Sequence, residues 1–306
     1  MSKKIYLTFD IETIVSRLSY NPTFHASVFL GGMYIAHELK KRNLKATFYI
    51  SLSPKGKEIP FLKYIDTINL LIDSLKSFEN IKIEPHIHAY KLPVSFDCLE
   101  DEFSKYDKDQ QKELLTWSKE FFKKHEIRVK NFRPGGYNVN DSYYEALSET
   151  GFDSSSVLIK NGDTVNIDLL TGKTQEYFPF ITKHGVKEYP VTSVRVKSIK
   201  RGVTEIINLS PDFFTIESVK THIERLSYVN INFHSFSMYN NRLARENHQH
   251  QIYNNIKFLL LEKWINKFLR RKKIETINHN TIFAKEFVRW VDFIEKKGYS
   301  TYFIGE

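Results

Sequence analysis

Two histidines stand two residues apart in EPHIHAY (84–90), directly behind the alternating run NIKI. In an extended strand, residues i and i+2 share a face. His86 and His88 therefore present their imidazoles side by side, together with Lys82 and Glu84, while Ile81, Ile83 and Ile87 take the other face. Paired imidazoles are unfavourable when both are charged and well suited to gripping a metal ion. TFDIET supplies two acids with the same spacing, Asp10 and Glu12. Glu12, His86 and His88 make a two-histidine, one-carboxylate set that suits zinc or a similar divalent ion and leaves positions open for water and substrate. Asp10 then remains as a general base.

FRPGGY adds Arg133, which can hold Asp10 ionised by charge pairing. Behind it, Gly135 and Gly136 admit a close backbone approach, and with Tyr137 they are candidates for oxyanion and substrate contacts. NFHSFS adds His234, a candidate acid for a leaving group. Asp153, in FDSSS, is a further candidate catalytic carboxylate and equally fits a turn or cap. Together these residues form a kit for metal-assisted hydrolysis of an amide or ester. Each also has a plainer structural use: hydrogen-bonded histidines at strand ends, acids in turns and caps, an arginine paired at the surface.

Such a set needs elements that bring it to one place. Strand-like runs occur at 4–9, 45–50, 81–88, 128–133, 152–157, 186–192 and 228–234, with a closing strand in STYFIG. Helical patterns occur at about 27–42, 59–78, 109–125, 140–151 and 281–298. Residues 158–185 fit a hairpin or loop insertion. The alternation predicts an α/β fold, a distorted (β/α)7-8 barrel with its chemistry at the C-terminal ends of the strands. A doubly wound open sheet is the second choice, but no Gly-rich phosphate loop follows the first strand. The chain is expected to be one domain, 1–306, with a helical basic insertion at about 238–280.

The 306 residues, 41 % hydrophobic and including 24 Phe and 17 Tyr, suffice for a large core. The single cysteine, Cys98, excludes an internal disulfide and a Cys-rich zinc site. No signal-peptide pattern or bilayer-length apolar run is evident, so the expected location is cytoplasmic. The net charge of +9 favours anionic partners, or simply a solvated lysine surface, and no nucleic acid is expected as a partner. Within 254–273, Ile256, Leu259, Leu260, Trp264 and Phe268 recur at near-helical spacing among seven Lys/Arg. That segment fits either a helix packed on the barrel or a peripheral contact with the inner membrane.

LTFDIET, KATFYI, IEPHIHAY, FRPGGY, FDSSSV and INFHSFS follow the order of motifs in the polysaccharide deacetylase family (carbohydrate esterase family 4, the chitooligosaccharide-deacetylase homology domain), which the chain resembles over about 4–303. The resemblance implies a distorted barrel, a divalent metal, usually zinc, and hydrolysis of an N-acetyl or O-acetyl group on a sugar. It makes Asp10 the catalytic base, Arg133 its steadying partner and His234 the catalytic acid. Three positions depart from the family pattern. Ile11 separates two acids that are commonly adjacent. Leu92 stands where a second histidine is common, so His86 must replace it. Gly136 stands where an aromatic is common. The expectation is a divergent deacetylase of bacterial surface-polysaccharide biosynthesis, acting on a nucleotide-, lipid- or polymer-linked acetylated sugar. The alternatives are a metal-dependent amidohydrolase on a non-sugar amide and an inactive glycan-binding member of the fold.

Overall fold

The computed structural model describes residues 3–13, 25–53, 61–159, 165–197, 203–238 and 282–306. Apart from its first residue, Met238, the basic insertion lies outside these residues, as does the segment 254–273.

The first strand, β1 (Lys4–Ile11), is buried from its second residue onward. Ile5, Leu7, Phe9 and Ile11 enter the main hydrophobic core, while Tyr6, Thr8 and Asp10 take the other face. Burial on both faces is the mark of a parallel strand between two layers. The strands that follow are β2 (Ala46–Ser51), β3 (Ile81–Ile87), β4 (Asn131–Pro134), β5 (Ser154–Ser155), β6 (Ile167–Asp168), β7 (Lys173–Thr174), β8 (Phe180–Ile181), β9 (Lys187–Glu188), β10 (Ser193–Lys197), β11 (Thr204–Asn208), β12 (Tyr228–His234) and β13 (Thr301–Tyr302). The helices are α1 (Gly31–Lys41), α2 (Phe61–Leu75), α3 (Lys108–Lys123), α4 (Tyr143–Glu149), α5 (Ile216–Arg225) and α6 (Ile282–Lys296).

The main sheet runs β12-β1-β2-β3-β4-β5-β9-β8, with β13 added to β1. Its ladders are parallel except for the β8–β9 hairpin. The sheet curls until the chain beyond β9 meets β12. There Thr192 N–H donates to the Asn230 carbonyl and Asn230 N–H to Thr192 Oγ1, each at 2.9 Å. These bonds bridge the gap without a regular ladder, so the architecture is an open, distorted barrel. Helices cover its outside through amphipathic faces. In α6, Phe283, Phe287, Trp290, Val291 and Ile294 are buried at helical spacing. In α3, an Asp107–Gln110 capping box starts a helix that buries Leu114, Leu115 and Phe122.

The insertion expected at 158–185 divides between two sheets: β6 and β7 join β10 and β11 in a second, four-stranded sheet, β11-β10-β6-β7, while β8 extends the main sheet. Its members β6 and β7 are two residues long, too short for alternation to show. Helix α5 was not signalled by the sequence pattern either. The fifth barrel strand shrinks from 152–157 to Ser154–Ser155, because β5 keeps only two rungs with β4 and with β9.

Candidate active site

The barrel interior is polar where an aliphatic plug is usual, and its centre is Arg133 on β4. This residue is fully buried and uses all five of its donors. Nη1 donates to Asp10 Oδ1 and to Asn232 Oδ1, both at 2.7 Å. Nη2 donates to Thr8 Oγ1 and Ser156 Oγ, both at 2.8 Å, and Nε to the Ser156 carbonyl at 3.2 Å. The guanidinium lies 4.1 Å from the centroid of the Tyr49 ring. Removing any barrel partner would leave a buried donor unpaired, so this network fixes the register of strands β1, β4 and β12.

Asp10 is the acid that the network holds. Burial pushes its carboxyl up, but the Arg133 guanidinium, helped by the cationic His234, outweighs that and leaves it below the usual carboxylate range. Its second oxygen, Oδ2, accepts from Asn232 Nδ2 at 3.0 Å. Asn232 Nδ2 also donates to the Tyr137 hydroxyl.

Two residues beyond Asp10, Glu12 meets the paired histidines. Glu12 Oε2 lies 2.6 Å from His88 Nε2 and 3.3 Å from His86 Nε2. The two Nε2 atoms are 3.1 Å apart. The opposite nitrogens fix the tautomers. His86 Nδ1 lies 2.9 Å from the Arg133 carbonyl, and His88 Nδ1 lies 2.8 Å from Asp101 Oδ1. Both partners can only accept, so in the neutral ring each Nδ1 carries the proton and each Nε2 keeps its lone pair. Glu12, His86 and His88 are all buried. Three acceptors converging in a dry site repel one another unless a cation lies among them, and their ligand atoms fall within 4.8 Å of one another. The donor set fits a divalent metal held by two nitrogens and one oxygen.

His234, at the end of β12, pairs in register with Asp10. Its Nδ1 donates to Asp212 Oδ2 at 2.7 Å, and its ring stacks on Phe236 with centroids 4.8 Å apart. Nε2 faces the mouth, 3.7 Å from Asp10 Oδ2 and 3.9 Å from Glu12 Oε1. Burial lowers the affinity of this imidazole for a proton, but the carboxylates of Asp212, Glu12 and Asp10 together push its pKa up to about 9. It is a cation at neutral pH.

The segment after β4 closes the site. A Cβ at Gly135 would lie 2.5 Å from His88 Nδ1, so the imidazole occupies the space a side chain would need. Gly136 and Tyr137 follow with φ of 66° and 60°. Leu92, where the family pattern has a histidine, is buried in the core.

The structure thus brings together Asp10, Glu12, His86, His88, Arg133, His234 and the Gly135–Tyr137 turn. It leaves out Asp153, expected as a catalytic carboxylate. That residue precedes β5 at the N-terminal end of the barrel, with its side chain 63 % exposed and 2.9 Å from Lys130 Nζ. It is a surface ion pair at the wrong end of the strands. Sequence reasoning missed Asp101, Asp212 and Asn232. Asn232 had a signal, since it lies two residues before His234 on one face of an extended strand. The two aspartates sit outside strands and helices, and no spacing pointed to them.

No protein-family model matches the chain, and no curated protein matches it. Solved structures do. A Mycobacterium smegmatis protein assigned to the polysaccharide deacetylases shares 13 % identity at a TM-score of 0.47, over 100 % of this chain and 94 % of that one. A Bacillus anthracis CE4-family pseudoenzyme, BA3943, shares 10 % at 0.47, over 99 % of this chain and 64 % of that one. A family 4 carbohydrate esterase, also from Bacillus anthracis, shares 16 % at 0.41, over 99 % and 81 %. These structures come from the family that the ordered motifs resemble.

Proposed function

We propose that the protein is a metal-dependent carbohydrate deacetylase that removes an N-acetyl group from a sugar during the assembly of a bacterial surface glycan, on the cytoplasmic side. The observation that carries this reading is the convergence of His86 Nε2, His88 Nε2 and Glu12 Oε2, three lone-pair atoms within 3.3 Å of one another, beside Asp10 and His234. A divalent ion such as zinc held there supplies Lewis acidity toward the acetyl carbonyl.

The rest of the chemistry belongs to the chain. Asp10, kept anionic by Arg133, takes the proton of the attacking water. The backbone N–H groups of the Gly135–Gly136–Tyr137 turn, packed against His88, are our candidates to stabilise the developing oxyanion. His234, charged and steadied by Asp212, donates from Nε2 to the departing amine. The opposite charges of Asp10 and His234 before reaction are the protonation states that a base and an acid need. The sugar substrate and the glycan pathway come from the motif resemblance.

Acetate release from N-acetylated amino sugars and their oligomers, by zinc-loaded protein and by Asp10→Asn, tests the proposal. Release by the native protein and a loss of at least about 10²-fold in the variant is expected. Hydrolysis of non-sugar amides only, or no hydrolysis by a metal-loaded protein, would contradict it.

A further inference from the structure

The segment YFPFITKHGVK (177–187) lies between Glu176 and Glu188 and contains no acid. It forms the β8–β9 hairpin, with Phe180 opposite Glu188 and Ile181 opposite Lys187. Thr182 N–H donates to the Val186 carbonyl at 2.9 Å and closes the turn. β8 ends the main sheet, so the hairpin is its outer edge. On it Phe178, Phe180 and Ile181 are 47 %, 37 % and 63 % exposed. Three large apolar side chains on one edge hairpin are costly in water and mark a contact surface.

Basic residues surround them. Lys183, in the turn, and Lys4, at the start of β1, are exposed, and Lys187 is partly so. Lys4 and Lys187 pair with no carboxylate among the described residues. Both line a cleft of about 450 Å³ between the hairpin and the barrel floor, together with Phe178, Tyr6 and Tyr189. The one acid of the cleft, Glu306, is already 3.1 Å from Lys45 Nζ.

We propose that this hairpin seats the protein on an anionic membrane surface. Phe178 and Ile181 enter the interfacial layer with Phe180, and Lys4, Lys183 and Lys187 meet the lipid phosphates. Apolar and aromatic side chains ringed by lysines are the pattern of an interfacial anchor. A second copy of the chain fits less well, because two such hairpins would set lysine against lysine. Lys4 and Asp10 are six residues apart along β1, about 20 Å. The membrane contact is therefore at the end of the barrel away from the catalytic residues, and the mouth stays open to solution. The proposal does not depend on the deacetylase reading.

Flotation with vesicles of phosphatidylcholine, alone or with about one-third phosphatidylglycerol, tests it. The protein should float with the anionic vesicles and be released by salt. Ile181→Asp should reduce binding more than about tenfold, and Lys183→Ala about fivefold, with thermal unfolding unchanged. Flotation with neither vesicle would overturn the proposal. So would binding that survives both substitutions, which would move the contact elsewhere, for example to 254–273. So would a dimer that Ile181→Asp dissociates in a protein indifferent to lipid.

Discussion

The Nε2 atoms of His86 and His88 face each other across 3.1 Å, and each ring has already committed its Nδ1–H elsewhere. Neither neutral ring can donate to the other. Glu12 adds a third acceptor at 2.6 Å from His88 Nε2. The fold therefore concentrates electron pairs at one buried point, and the cost of doing so is recovered when a cation binds.

The hydrogen bond between His88 and Asp101 should tune that binding. Asp101→Ala removes the acceptor that fixes the His88 tautomer, and zinc affinity should fall about 10–100-fold. Gly135→Ala should act on the same ring from the other side, since its Cβ would lie 2.5 Å from His88 Nδ1. Isothermal titration of chelator-treated protein with zinc measures both.

Asp10→Asn should separate chemistry from metal binding. Asp10 is not among the three ligands, so bound zinc, read by elemental analysis, should stay near native. Acetate release should fall by about 10²–10⁴-fold, the usual contribution of a positioned base. Unfolding in denaturant should show a loss of up to about 3 kcal/mol, because the fully buried Arg133 loses its counter-charge.

Asp212 should set the titration of His234. In metal-free protein the His234 imidazole should titrate near the raised value of about 9, followed by nuclear magnetic resonance of the ring. With Asn at position 212 the strongest carboxylate is gone and burial, which lowers the pKa, gains weight. The midpoint should drop by more than about one unit. An unchanged midpoint would mean that Asp212 does not support the acid.

Glu188 gives a pH signature of the fold. Burial pushes its carboxyl up to about 7 from an ordinary value of 4.5, although it accepts from Val157 N–H at 2.8 Å. The folded chain then binds more protons than the unfolded chain between those values. Its contribution to stability is complete below about 4.5 and is lost as pH rises through about 7. Urea unfolding from about pH 5 to about pH 8 should show this decline, and Glu188→Gln should flatten it by on the order of 3 kcal/mol.

The legible parts of this chain were those written in periodicity. Alternation in NIKIEPHIH and LTFDIE was enough to bring His86, His88, Asp10 and Glu12 to one face each, and the α/β alternation gave the barrel that joins them. The same rule applied to NINFH would have shown Asn232 beside His234. Asp101 and Asp212 were illegible because their positions depend on how loops cross the mouth, which is tertiary information. Asp153, by contrast, was misplaced. Even the strand expected at 152–157 has it at the N-terminal end, away from the mouth, and the structure sets it there just before β5, against Lys130. The second sheet escaped because two-residue strands carry no period.

Zinc binding by native protein and by His86→Ala, His88→Ala and Glu12→Gln, measured by equilibrium dialysis after removal of adventitious metal, decides whether Glu12, His86 and His88 form a metal site. The site predicts near-stoichiometric binding by the native chain and a large loss of affinity in all three variants. Native protein that takes up no divalent ion, or variants that bind as well as native, would contradict it.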